Sequence, residues 1–170
     1  MKEILDASSI KRSLYRISHE IIERNKGVEN VVLIGIKTRG ETLAYRFQAL
    51  IKQIENVDVP TTAMDISYWR DDDRKNKNPQ LPNLDVDVKD KVVVLVDDVL
   101  FRGRTVRAAM DGVMHYGRAK QIQLVILVDR GHKELPIRAD FVGKNVPTSL
   151  KEEVKVFLKE NDGKDSVVIQ

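Results

Sequence analysis

The segment Val92–Thr105 constrains this chain more than any other part of its sequence. Five apolar residues, Val92–Val96, predict a buried strand, and Asp97 and Asp98 stand at its carboxyl end. A tight turn containing Gly103 follows, and a helix is predicted directly after it. In an open α/β sheet, ligands bind at the carboxyl ends of strands, and helix N-termini offer free N–H groups to phosphate. Because neighbouring carboxylates suit ribose hydroxyls or a hydrated Mg²⁺, the segment indicates a site for a phosphorylated ribose.

The same segment resembles the phosphoribosyl-pyrophosphate (PRPP) motif of the type I phosphoribosyltransferases. In that family two acidic residues end the strand, and the loop after them usually reads Thr-Gly-x-Thr. Here the loop reads Arg102-Gly103-Arg104-Thr105, so an arginine replaces the first threonine. The alternative is an ordinary strand–turn–helix unit with solvated acids, but two acids in a row before such a turn favour a binding site.

Helices and strands alternate along the chain. Helical periodicity covers 8–25, 41–54 and 104–116, strands are predicted at 31–36, 61–69, 92–97 and 121–129, and strand-like pieces follow at 137–142, 154–158 and 166–169. This alternation predicts an α/β fold with a mostly parallel sheet flanked by helices and a small C-terminal strand appendage. We expect one domain over residues 1–170.

Composition excludes several classes of protein. The chain has 170 residues, 42% hydrophobic and 32% charged, which is typical of a soluble globular protein. It has no cysteine for disulfide or thiolate chemistry, and its three histidines lack metal-ligand spacing. Its apolar runs are too short to cross a bilayer, and no signal peptide is apparent, so we expect a cytoplasmic location. A net charge of +3 does not by itself indicate nucleic-acid binding.

Two further loops are candidates for the same site. The segment Gly35–Gly40 also joins a strand to a helix, and its Lys37 and Arg39 suit a pyrophosphate group because guanidinium binds phosphate oxygens in pairs. Taken alone, this segment is typical of a solvated turn. Together with Val92–Thr105, it is the expected binding loop for the pyrophosphate end of PRPP. The charged stretch 70–83 is either solvated surface or a mobile lid that excludes water.

A fourth segment sharpens the resemblance. The stretch 127–140 begins at a strand end and reads, from spacing alone, as a basic surface loop without an assigned ligand. Together with three other stretches, however, it resembles the PyrR family of bacterial pyrimidine-operon attenuators, and the similarity runs from about Ile4 to the C-terminus. The stretches that carry this resemblance are Asp129–Asp140, Gly143–Ser149, Gly35–Gly40 and Glu20–Gly27.

The resemblance implies two activities. Proteins of this family bind a stem-loop of pyrimidine-operon leader mRNA when uridine nucleotides such as UMP or UTP are abundant, and they promote transcription termination. Many also convert uracil and PRPP into UMP and pyrophosphate with Mg²⁺. By position, Asp97 and Asp98 would bind the ribose and, through PRPP, the Mg²⁺, and Arg39 would act with them in catalysis. The remaining PRPP and nucleotide contacts would be Lys37, Thr38, Gly40, Val99, Leu100, Phe101, Arg102, Gly103, Arg104 and Thr105, and uracil would lie against Val128, Asp129 and Arg130.

An RNA surface is expected on the first helix. Its cations recur at helical spacing away from the Ile/Leu stripe, which suits either RNA contacts or a solvated face. Within the resemblance, this surface forms across a dimer, and we expect the protein to be a homodimer or homotetramer. The residues of this surface would be Arg12, Tyr15, Arg16, His19, Lys133 and Arg138.

Three residues depart from the family pattern. Arg102 and Tyr15 replace threonines, and Lys133 replaces an arginine. Arg102 predicts weakened turnover of PRPP with nucleotide binding retained, and Tyr15 either stacks on an unpaired base or obstructs the RNA surface. The first interpretation is therefore a bifunctional attenuator and uracil phosphoribosyltransferase. The alternatives are an RNA-binding regulator without catalysis and a pure salvage enzyme.

Overall fold

The computed structural model describes residues 1–72 and 78–170. Within these ranges the strands are β1 (Lys2–Leu5), β2 (Val31–Ile36), β3 (Thr61–Met64), β4 (Val92–Leu100), β5 (Gln121–Asp129), β6 (Phe141–Asn145), β7 (Val154–Phe157) and β8 (Ser166–Ile169). The helices are α1 (Ala7–Arg24), α2 (Arg39–Glu55), α3 (Arg104–Tyr116) and α4 (Lys159–Asp162), with a 3₁₀ turn at Ser67–Trp69. None of the described helices is long and apolar enough to cross a membrane.

The larger sheet is parallel throughout. Its strand order is β3-β2-β4-β5-β6, which confirms the predicted α/β architecture. Strands β2 and β4 are direct neighbours, with Val31 opposite Val92 and Gly35 opposite Val96. Because both strands run in the same direction, the loops that follow them emerge side by side at one edge of the sheet.

Side chains of β2 and β4 alternate between two apolar cores. Leu33 and Val94 pack on the α1–α2 side with Phe47, whereas Ile34 and Leu95 pack on the α3 side. All five are at most 1% exposed. Burial of each such side chain contributes about 1.5–3 kcal/mol, so the two central strands are held firmly from both faces.

The chain ends build a second sheet beside the first. Strands β1, β8 and β7 pair antiparallel, and we call this sheet together with α4 the hood. The predicted C-terminal appendage therefore also contains the N-terminal strand, which at four residues is too short to show a pattern. Arg46 of α2 clamps the hood by bonds of 2.6–2.9 Å to Glu160 and Asp165. These bonds hold the pKa of both carboxyls below their usual range.

Two predicted strands have different bounds. The strand expected over 61–69 ends at Met64, because the Asp65 carboxylate accepts the backbone N–H of Ser67 at 3.0 Å and a 3₁₀ turn follows. The strand expected over 137–142 begins only at Phe141, where pairing with Val125 of β5 starts.

Two elements beside the candidate site are longer than predicted. Strand β4 continues past 97 to Leu100, because its last residues pair with the end of β5. Helix α2 begins at Arg39 instead of residue 41. The acid pair therefore lies within the strand, and the predicted pyrophosphate loop runs directly into the first turn of the helix.

The predicted lid loop lies partly outside the described residues, which leave out 73–77. The described remainder of 70–83 contains neither helix nor strand. Its beginning is fastened to α3, because Arg107 Nη1 donates to the Trp69 carbonyl and Arg70 Nη1 donates to Thr105 Oγ1, both at 3.1 Å.

Candidate active site

The acid pair occupies the last part of β4. Asp97 is 8% exposed and its Oδ1 accepts the backbone N–H of Asp98 at 2.9 Å, while Asp98 Oδ1 accepts that of Val99 at 2.8 Å. Burial, with a second carboxylate beside it, raises the pKa of Asp97 well above the ordinary value of 3.8. Two carboxylates held this way suit a ligand that brings hydroxyl donors or a divalent cation.

A phosphate cradle follows the acid pair. We give this name to Gly103–Thr105, the turn and first helical residues of α3. Gly103 has a φ of +90°, a conformation that favours glycine, and it caps α3 without a side-chain bond to the helix. The first N–H groups of α3 are therefore available to an anion. A cavity of about 200 Å³, lined by residues 99–106 with Arg70 and Asp72, lies at this helix end.

A cationic loop, Lys37–Gly40, faces the cradle. A Cβ atom on Gly40 would stand 2.4 Å from the backbone oxygen of Val96, so only glycine lets α2 approach β4 directly before the acid pair. A second cavity, of about 520 Å³, is lined by Lys37, Thr38, Asp65, Ile66, Ser67, Arg70 and Thr105. The two cavities share Arg70 and Thr105, and together we call them the cleft.

The guanidinium of Arg39 is directed to the hood. Among the described residues that line the larger cavity, Arg39 is absent. Its Nη2 and Nε donate to the two carboxylate oxygens of Asp162 at 2.6 and 3.2 Å, which lowers the pKa of Asp162. The expectation that Arg39 touches pyrophosphate therefore does not match this arrangement, because a carboxylate on α4 already occupies its bidentate face.

Arg70 is a candidate site residue that the sequence patterns did not indicate. It lines both cavities of the cleft, bonds Thr105 of the cradle, and donates from Nε and Nη2 to Asp72 at 2.9 and 3.0 Å. In the sequence it belongs to a charge run, which usually marks solvated surface. The available signal was its place shortly after β3, since every strand of a parallel sheet delivers its following residues to the same edge.

The end of β5 lies beside the cleft, because Val99 pairs with Val128 and Leu100 with Asp129. Val128 is fully buried, and Asp129 Oδ1 accepts the Gly131 N–H at 3.0 Å. Arg130 is only 6% exposed, and its guanidinium lies 3.9 Å from the Phe101 ring centre. The same guanidinium donates to Thr148 Oγ1 and to the carbonyls of residues 149 and 152. The side chain of Arg130 is thus engaged by Phe101 and the 148–152 segment, and its predicted contact with uracil stays a prediction.

The residue that departs from the family motif, Arg102, lies next to the cradle and lines the smaller cavity. The side chain of Arg102 is 56% exposed, 3.8 Å from Glu134, and its guanidinium carbon is 5.0 Å from the Phe101 ring centre. Arg104 also contacts Glu134, since its Nε donates to Glu134 Oε1 at 3.3 Å. Its Nη1 donates to Asp71 Oδ2 at 3.4 Å. Carboxylates therefore already accompany the cations that surround the cradle.

The expected RNA residues fall into two groups. Arg12 and Arg16 line a groove of about 490 Å³ between α1 and β6 together with Lys144, which the sequence analysis did not select. Arg16 Nη2 donates to the carbonyls of residues 142 and 143. Lys133 lies instead beside the cleft, 3.6 Å from Asp129.

The aromatic part of this surface lies on α1. Tyr15 is 52% exposed, and its ring meets that of His19 edge-on with centres 4.7 Å apart. Arg138 is exposed three residues before β6. The structure thus presents two cations, an exposed tyrosine and a histidine on one helix, next to the strand that Arg138 precedes.

Comparison with solved structures agrees with the fold. The hypoxanthine phosphoribosyltransferase of Trypanosoma cruzi superposes with a TM-score of 0.78, covering 99% of this chain and 95% of that one, at 16% identity. A purine phosphoribosyltransferase of Pyrococcus horikoshii superposes with a TM-score of 0.65 over 84% of this chain and 86% of that one, at 22% identity. At such low identity these likenesses concern the fold alone.

Sequence comparison identifies the family. The phosphoribosyl transferase domain model matches residues 1–159. A protein of Pediococcus pentosaceus named bifunctional protein PyrR is 53% identical over 174 residues, which cover 99% of this chain and 98% of that protein. One of the same name from Oceanobacillus iheyensis is 59% identical over 170 residues, 97% of this chain and 94% of that protein. The chain therefore belongs to the phosphoribosyltransferase family and, within it, to the PyrR proteins.

Proposed function

We propose that this chain is a uridine-nucleotide-dependent attenuator of pyrimidine-operon transcription that also forms UMP and pyrophosphate from uracil and PRPP. The observation that carries the proposal is one edge of the larger sheet, where the phosphate cradle and the cationic loop line the cleft and the acid pair lies next to them in β4. Identity of 53–59% over nearly the whole chain to proteins named bifunctional supports the pairing of two activities.

The donor fits the cleft in one orientation. The 5′-phosphate lies on the cradle, where Arg104 and Thr105 and the first N–H groups of α3 receive it. The ribose hydroxyls face the acid pair, and the pyrophosphate lies against the cationic loop. As uracil N1 loses its proton and bonds the ribose C1′, the bond from C1′ to pyrophosphate breaks. Lys37 and Arg70 stabilise the charge that develops on the leaving pyrophosphate, which takes up the proton or passes it to water. Catalysis thus consists of positioning and charge stabilisation and needs no covalent nucleophile.

Magnesium enters with the donor in this proposal. In the described parts of the chain, no group of three His, Cys, Asp or Glu residues is placed to hold a metal alone. Mg²⁺ prefers oxygen ligands and is often bound by one or two carboxylates plus the phosphates of a substrate. Asp97 and Asp98 would supply the carboxylates, and Mg²⁺ bound there would offset negative charge on the pyrophosphate.

Uracil lies at the end of β5, beside the cleft. The base lies against Asp129 and the backbone of Val128, whose side chain is buried, with the Phe101 ring beside it. Arg130 holds that ring from behind at 3.9 Å. The face of this aromatic ring offers the flat apolar contact that a pyrimidine needs.

RNA binds on the other surface, the groove between α1 and β6. Arg12, Arg16 and Arg138 contact phosphates, while Tyr15 and His19 stack on unpaired loop bases. A homodimer or homotetramer joins two such surfaces. Lys133 lies beside the cleft near Asp129, so we assign it to the communication between nucleotide and RNA. If UMP favours the RNA-competent state, bound RNA must tighten UMP binding by the same factor.

Filter retention of a pyrimidine-leader stem-loop tests this proposal. We expect retention at lower protein concentration with UMP than without it. Arg138→Ala should weaken binding about tenfold and lower the salt dependence, because one cationic contact is lost. Lys89→Ala, on the loop before β4, should leave binding unchanged. Absence of retention with and without UMP would contradict the attenuator and leave the salvage enzyme, which a uracil-plus-PRPP assay identifies.

Arg102 makes a regulator without catalysis the second candidate. Its bulk and charge stand where the family usually has a small hydroxyl, next to the cradle. Arg102→Thr should raise kcat/KM for PRPP about tenfold, because a short side chain lets the phosphate settle closer to the cradle N–H groups. Steady-state kinetics of Glu134→Gln provide the control. This variant loses the Arg102–Glu134 contact but keeps the long Arg102 side chain, so it should not show the rise in kcat/KM. If wild type and Arg102→Thr are both inactive while UMP still binds, the protein is a non-enzymatic regulator.

A further inference from the structure

One ion pair joins the hood to the cationic loop. Arg39 is the first residue of α2, and it grips both carboxylate oxygens of Asp162. Asp162 is itself fixed, because its Oδ2 also accepts the backbone N–H of Leu158 at 2.9 Å. The side chains of Arg39 and Asp162 are 34% and 17% exposed, so the pair is partly shielded from water.

The ion pair restrains the part of the cleft that faces pyrophosphate. Lys37 and Thr38, which line the larger cavity, directly precede Arg39. Thr38 precedes α2 without any side-chain cap, so its own hydroxyl does not hold the helix start. On the side away from β3, the carboxylate of Asp162 therefore anchors the end of this loop, while Thr42 Oγ1 donates to Asn161 Oδ1 of α4 at 2.7 Å from the next turn of α2.

We propose that Asp162 is a positioning residue for the phosphoribosyl donor: through Arg39 it holds the Lys37–Thr38 backbone in the shape that receives the pyrophosphate group. This inference rests on the proposed function. It gives the hood a part in substrate binding, although α4 does not line the described cavities of the cleft. It also explains why Arg39 faces the hood instead of the ligand.

A second ion pair provides the matched control. Asp165 binds Arg46, which lies seven residues after Arg39 and so about 10 Å further along α2. This contact also fastens the hood to α2, but it touches no residue of the cationic loop. Asp162→Asn and Asp165→Asn therefore remove equivalent charges from the same small region, and only the first loosens the loop.

The expected result is selective for the pyrophosphate end of the ligand. Asp162→Asn should raise KM for PRPP and the dissociation constant of Mg²⁺-pyrophosphate about tenfold, because a neutral amide holds a guanidinium less firmly. UMP has no pyrophosphate, so its dissociation constant, from calorimetry, should change by less than about twofold. Asp165→Asn should leave all three values near wild type.

Other outcomes would overturn the inference. Equal changes for Asp162→Asn and Asp165→Asn would mean that the hood contributes stability only. A parallel loss of UMP affinity would mean general loosening of the cleft. In an Arg39→Ala background, Asp162→Asn should have no further effect on pyrophosphate binding, and an additive effect would contradict a route through Arg39. If wild type neither binds nor turns over PRPP, the proposed function itself fails, whatever the variants do.

Discussion

Asp97→Asn should lower kcat/KM for UMP synthesis about 100-fold while it raises the stability of the free protein. The loss follows because Asp97 is proposed to face the ribose and Mg²⁺, and removal of one such preorganised group typically costs 10²–10³ in rate, about 2.7 kcal/mol at the lower end. The amide oxygen of asparagine still accepts the Asp98 N–H, so the fold of β4 remains.

The gain in stability follows from the pKa of Asp97. Burial and the neighbouring Asp98 raise this pKa above 3.8, so the folded state binds the proton more tightly than the unfolded state. The contribution of Asp97 to the free energy of unfolding is then largest below pH 3.8, and it is lost as the pH rises through the folded-state pKa of Asp97. At neutral pH the ionised form is the unfavourable one, and asparagine removes that penalty.

Urea unfolding and steady-state kinetics at neutral pH measure both effects. Asp98→Asn is the companion variant, because Asp98 is less buried: we expect a comparable loss of activity without the gain in stability. An Asp97→Asn protein with wild-type kcat/KM would remove the acid pair from the proposed site. An unchanged or lower midpoint in urea would contradict the interpretation that burial makes the charge costly.

Gly40→Ala should destabilise the fold by about 3 kcal/mol and lower kcat/KM at least 100-fold, although alanine is the better helix former. The methyl group would lie 2.4 Å from the Val96 oxygen and 3.3 Å from the Asp97 Cα. Both obstacles are backbone, so α2 must move away from β4. That movement shifts the cationic loop relative to the acid pair, and a misplacement of about 1 Å costs up to 10² in rate.

The control for this prediction is the reverse change on the same helix. Ala49 is exposed on α2, and Ala49→Gly should cost about 1 kcal/mol through helix propensity alone, with activity unchanged. Thermal unfolding and the uracil-plus-PRPP assay compare the two variants. If Gly40→Ala is more stable than wild type and active, the close approach of α2 and β4 is not needed for the site.

Local patterns were sufficient to predict the centre of the site. The apolar run of β4, its acids and the glycine turn are contiguous, so the strand, the carboxylates and the start of α3 at Arg104 follow from spacing. The neighbouring loop could be placed as well, because α/β alternation puts the ends of β2 and β4 at one edge.

Contacts between distant segments could not be predicted in this way. Arg70 reaches Thr105 across 35 positions, and this depends on β3 lying beside β2. The direction of Arg39 depends on Asp162, 123 positions away, within a hood that needs β1 and β8 to pair. The burial of Arg130 against Phe101 likewise follows from packing and not from the basic character of its loop.

Trp69 is an intrinsic fluorescent probe next to a residue that lines the cleft. It is the only tryptophan in the sequence, and it directly precedes Arg70 in the chain. Its indole lies among the rings of Tyr68, His115 and Tyr116, at centre distances of 5.3–6.2 Å, while its carbonyl accepts Arg107 of α3. We therefore expect a rearrangement of Arg70 against an incoming phosphate to change the fluorescence of the adjacent Trp69. Ligand titrations could then follow intrinsic emission without an attached dye.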